Sequence, residues 1–163
     1  MLALACARAV DGPLPQGRAQ VQSVPFFAQE DFQCGPASLA GVLNFHGQKT
    51  TPQELAAEVF RPDIRGSLGL DMALAARKRG LQAKFYEGSP ADLAHNLDKG
   101  LPLVLLLDLG LGPVQALHFA VATGYGPEGV TLNSGRNQGQ VMAWPAFLGQ
   151  WNKTGRWTLW IEP

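Results

Sequence analysis

Residues 33–47 read QCGPASLAGVLNFHG. A cysteine followed at once by Gly35 and Pro36 stands at a helix start, because proline in a first turn gives up an N–H that has no helical partner anyway. From there Ala37, Ala40, Leu43 and Phe45, with Leu39 and Val42 beside them, mark a helix that Gly47 ends. Its residues are small and apolar, so it is expected to be mostly buried. A cysteine at such a start meets free backbone N–H groups and the positive end of the helix dipole, both of which favour thiolate over thiol. The competing reading is a small buried hydrophobe, the commonest fate of a free cysteine.

Beyond this helix, Thr51-Pro52-Gln53-Glu54 starts a second, with Thr as cap, Pro at the first position and an acidic first turn. A third is expected over 70–79, stopped by Gly80, and a fourth from Ser89-Pro90-Ala91-Asp92 to Gly100. The pattern then turns to strands, at 103–107, 118–123, 130–132, 140–142 and 157–161, with a short helix at 145–151. Helices first and strands second predict an α+β domain whose N-terminal helical half packs on a C-terminal antiparallel sheet. Residues 21–163 are expected to form this domain. Residues 1–20 read as leader and linker.

Thirteen basic residues balance thirteen acidic ones, which leaves no electrostatic footprint for nucleic acid. Two cysteines, Cys6 and Cys34, exclude a disulfide framework, and with three scattered histidines they have no zinc spacing, so neither metal nor cofactor is predicted. Gly124-Tyr125-Gly126-Pro127-Glu128-Gly129 satisfies the letter of a dinucleotide fingerprint but joins two strands, so it reads as a turn. No obligate oligomer is predicted. Leu2-Ala3-Leu4-Ala5-Cys6 resembles the tail of a bacterial lipoprotein signal, its start truncated, which would anchor the chain through Cys6 in the cell envelope or periplasm. The alternative is an incidental cysteine and a cytoplasmic protein.

His118 opens an otherwise apolar strand, where a buried ring must find a partner and a thiol across a cleft is one. His46 ends the Cys34 helix and His95 sits mid-helix. Trp144, Trp151, Trp157 and Trp160 read as core or edge packing, although Trp144 and Trp151 follow the His118 strand closely enough to border a cleft.

VPFFAQEDFQCGPASLAGVLNFHG, followed much later by HFAVATGYGPEGVTLNSG, resembles the bacteriocin-processing, double-glycine cysteine peptidases of the papain-like clan, in particular their stand-alone bacterial lipoprotein relatives. The resemblance implies a papain-like fold and a peptide or protein substrate. It makes Cys34 the nucleophile, His118 the general base, and Gln29 the side chain that completes an oxyanion hole with the Cys34 N–H. Gln29 stands one residue closer to the cysteine than the family's glutamine does. Where the family has an aspartate to orient the histidine, this chain has Asn133-Ser134-Gly135. Only one of Asn133 and Ser134 can point toward His118. Spacing favours Ser134, and papain-like chemistry favours an amide, so Asn133. Neither brings a carboxylate. A thiol-dependent peptidase working through an acyl-enzyme is therefore expected. The alternatives are a catalytically impaired module that binds peptides or a partner, and an amide hydrolase or acyltransferase with the same nucleophile.

Overall fold

The computed structural model describes residues 13–29 and 33–163; Cys6 lies outside the described residues. A two-residue strand, β1 (Ala19–Gln20), precedes helix α1 (Cys34–Phe45), which buries every residue from Gly35 to Leu43. Helix α2 (Pro52–Val59) begins with a full capping box. Thr51 Oγ1 accepts from the Glu54 N–H, and the Glu54 carboxylate accepts from the Thr51 N–H at 2.8 Å. Two short strands, β2 (Phe60–Arg61) and β3 (Gly66–Ser67), form a hairpin before α3 (Gly69–Lys78). Then come β4 (Gln82–Glu87), α4 (Pro90–Asp98), β5 (Leu103–Asp108), β6 (Leu117–Gly126), β7 (Gly129–Ser134), β8 (Asn137–Met142), α5 (Trp144–Asn152) and β9 (Trp157–Glu162).

The main sheet runs β4-β9-β5-β6-β7-β8, every pairing antiparallel, with β1 also on β6. Phe119 to Gly126 are all buried, without the alternation of a half-exposed strand, so β6 is covered on both faces. Leu39, Val42 and Leu43 of α1 join Leu103, Leu105, Leu107, Ala120 and Leu132 of the sheet in one core. The fold is α+β, as the order of elements predicts, and papain-like, as the resemblance implies.

Two details depart from that order. The segment read as linker contributes β1, whose Ala19 and Gln20 pair with Tyr125 and Gly124. Between α3 and α4 the run QAKFYE forms β4, an edge strand on β9. Its alternation is masked because Phe85, on the same face as buried Ala83, is itself 45% exposed, so the hydrophobic pattern does not mark one buried side.

Candidate active site

α1 starts at Cys34 with no side-chain cap, since Gln33 at the cap position makes no such bond, and no acidic residue occupies the first turn. The first N–H groups of the helix are thus left to other partners. Two of them, from Cys34 and Gly35, reach the Cys34 sulfur, as does the N–H of Phe119 on β6. Burial nevertheless wins and pushes the Cys34 thiol above its ordinary value, with those three donors only partly opposing it. This corrects the expectation that the helix start alone favours thiolate.

Burial, the sole cause of its shift, pushes His118 below the ordinary imidazole value. The two shifts run in opposite senses and favour the same neutral pair, thiol with imidazole. The ring is held at one end: His118 Nε2 and Ser134 Oγ lie 2.9 Å apart. With the ring proton on Nε2 the imidazole donates to Ser134, and Nδ1 keeps the lone pair that could take a proton from a thiol.

The register of the sheet explains why Ser134 has this place and Asn133 does not. On the β6–β7 ladder Val121 faces Asn133 and Ala122 faces Leu132. Asn133 therefore shares a face with Val121 and Phe119, and Ser134 shares the other with Ala120 and His118, a diagonal neighbour within reach. Asn133 is buried, and its Oδ1 accepts the Gly139 N–H at 2.9 Å, closing the irregularity between Leu132 and Ser134 on the β7–β8 ladder. The amide is committed to the hairpin.

Gln29 is placed by two contacts of its own and by the packing of the segment that leads to it. Its N–H donates to the Gly135 carbonyl at 3.0 Å, tying the segment before Cys34 to the turn that follows Ser134. Gly41 lets that segment lie against α1, because a Cβ there would stand 2.8 Å from the Pro25 carbonyl oxygen. The side-chain Nε2 reaches Ser38 Oγ at 3.4 Å.

Gln29, Cys34, His118 and Gly135 line one cleft of about 780 Å³, whose other walls are residues 64–69 and 115–117, with Leu106, Phe119 and Trp157. A Cβ on Gly35 would stand 2.5 Å from Ser67 Oγ, so the first turn of α1 accepts the β2–β3 hairpin at close range only as glycine. Ile64, Leu68 and Leu117 expose apolar side chains, 52%, 46% and 52% accessible, around this cleft. Asp108 shapes its far rim, its carboxylate accepting the N–H groups of Gly110 and Ala116 at 2.9 Å each.

A family model, that of the Peptidase_C39-like family, matches residues 21–158. The chain belongs to this family. No curated protein matches it. A C39-like peptidase from Bacillus anthracis is 18% identical, with 91% of this chain and 98% of that one covered and a TM-score of 0.75. A double-glycine motif protease from an AMS/PCAT transporter, solved in complex with the leader peptide, is 25% identical over 93% and 99% of the two chains, with a TM-score of 0.72. The peptidase domain of Streptococcus ComA is 21% identical over 86% and 99%, with a TM-score of 0.70.

Within this C39-like chain two aromatic residues, Phe119 and Trp157, line the cleft, and neither was expected there. Trp144 and Trp151 are buried, 3% and 0% exposed, on α5, as core packing has them, and do not border the cleft. Trp157 lines it instead, stacked on Phe85 and edge-on to Phe119. Ser67 and Ser38 were also missed, since a serine carries no pattern of its own. The one available signal was the segment 109–117, where leucines and a valine stand among glycine and proline with no period to bury them, the mark of an apolar surface loop. Neither His46 nor His95 lines the cleft.

Proposed function

We propose that the protein is a cysteine peptidase that cleaves peptide bonds through an acyl-enzyme. What supports this most is the meeting, in one cleft, of Cys34 at an uncapped helix start and His118 held through Nε2 by Ser134. His118 Nδ1 takes the thiol proton as the Cys34 sulfur bonds to the substrate carbonyl carbon. The oxygen that gains charge is bound by the Cys34 N–H and the Gln29 side chain. Collapse breaks the C–N bond, the proton passes from His118 to the leaving amine, and a thioester remains on Cys34. Water then attacks the thioester with His118 again as base, releasing the acid and restoring the thiol. The cleft's apolar rim suits side chains of a peptide, and the leader peptide in complex with the transporter protease is a ligand of the same chemical class.

Two observations favour a second reading. His118 has a hydroxyl partner where a carboxylate would stabilise its imidazolium, and the Cys34 thiol is pushed up. A module that binds peptides without cutting them fits that weakness. A peptidyl vinyl sulfone followed by intact-protein mass separates the two. The peptidase reading predicts one adduct on the wild-type protein and none on Cys34→Ala or His118→Ala. A folded wild-type protein that binds the peptide and forms no adduct contradicts it. An envelope location through lipidated Cys6 is a companion proposal, tested by metabolic labelling with a fatty-acid analogue.

A further inference from the structure

Ser38 stands one turn beyond Cys34 on α1, is 2% exposed, and has no part in the proton transfers above. Its hydroxyl oxygen meets Gln29 Nε2 at a long 3.4 Å, while Gln29 Oε1 is buried with no hydrogen-bond partner among the described residues. Buried carbonyl oxygens are rarely left this way. The two ends of a carboxamide have the same shape, and a hydroxyl rotates to donate or accept. Turning the Gln29 amide over lets Ser38 donate to Oε1 and carries Nε2 to the position the orphaned oxygen holds. That position, on a residue lining the cleft, becomes an unpartnered buried donor. A developing oxyanion needs such a donor and would be repelled by a carbonyl oxygen in the same place.

We propose that Ser38 is a positioning residue: its hydroxyl donates to Gln29 Oε1 and aims Gln29 Nε2 at the substrate oxygen that gains charge when Cys34 attacks. The inference rests on the peptidase reading and adds a residue that touches neither substrate nor reacting atoms. The backbone is already set for it by the Gln29 N–H on the Gly135 carbonyl. What remains to be fixed is which end of the amide faces the cleft, and a hydroxyl that donates decides it.

The test is steady-state kinetics on a fluorogenic peptide that the wild-type protein cleaves, with Cys34 alkylation by iodoacetamide in parallel, a reaction that consumes thiolate and forms no oxyanion. Gln29→Ala is expected to lower kcat by ~10²-fold or more, as for loss of an oxyanion donor, and Ser38→Ala by ~10-fold with KM unchanged. Ser38→Thr keeps the hydroxyl and stays within about threefold of wild type, and Ser38→Ala adds nothing once Gln29 is alanine. Alkylation rates stay within about twofold throughout, because the thiol is untouched. Ser38→Cys, closest in shape and a poor donor, replaces Ser38→Ala if the alanine variant does not fold, and the same loss is expected. Wild-type kcat in both, or losses from Ser38 and Gln29 that multiply, overturns the proposal. A Gln29→Ala at wild-type kcat overturns the oxyanion role of Gln29, and a Cys34→Ala that still turns over overturns the peptidase reading itself.

Discussion

His118 is held by a hydroxyl in the cleft it shares with the Cys34 thiol, with no carboxylate among the described residues to hold its positive form, and burial lowers its proton affinity. Activity that needs the neutral ring should therefore persist on the acid side of the ordinary imidazole value of ~6.5. The acid limb of kcat/KM is expected below that value. Ser134→Ala removes the only side chain among the described residues bonded to Nε2, and should cost about 10-fold in kcat, or ~1.4 kcal/mol of barrier. Asn133→Ala should spare kcat relative to Ser134→Ala and lower stability instead, since its amide closes the bulge at Gly139. Ser134→Asp places a carboxylate beside the ring, so it should raise the His118 pKa and move the acid limb toward neutral pH. A pH–rate profile of the three variants checks all of this; an Asn133→Ala loss larger than that of Ser134→Ala would reverse the assignment.

Helix α1 does two things at once, filling the core with its buried face and presenting an open N-terminus to the cleft. Gly35 is where the two meet. Gly35→Ala is expected to push Ser67 and the β2–β3 hairpin away and to lower kcat/KM with little loss of core packing. Thr51→Ala is the contrasting case: it removes the cap of α2, which does not line the Cys34 cleft, and should cost ~1 kcal/mol of stability in urea unfolding while leaving kcat/KM unchanged. Both helix starts were readable from sequence because caps, prolines and glycines act locally. The choice between Asn133 and Ser134 was not, because it depends on the β6–β7 register, which pairing of distant residues sets. Edge strand β4 was hidden for a similar reason, its place being fixed by β9, some seventy residues on. Trp157 reaches the cleft because the same β9 lies against β4 and α3, where Gly69 makes room for its ring.

The sheet gathers the site from chain segments that are distant in sequence, and its stability should follow the groups it buries. His46 and His118 are both lowered by burial, so each takes up a proton more readily unfolded than folded. Their contribution is present above the unfolded value of ~6.5 and is lost as pH falls below it. Asp108, Glu54 and Glu58 are carboxylates held below their ordinary values, the first two chiefly by backbone N–H groups and Glu58 by Arg79. Their contribution is present above the unfolded value of ~4 and goes as pH falls through the lower folded values. Tm should therefore fall in two acid steps, and a His46→Gln, His118→Gln double variant should flatten the first and leave the second. The central claim is narrower than the fold and is tested by turnover of a fluorogenic peptide set by the wild-type protein and by Cys34→Ala, with Tm measured on both. The account predicts cleavage by the wild type and none by Cys34→Ala at a nearly unchanged Tm. Equal cleavage by the two proteins, or none by a folded wild type, would contradict it.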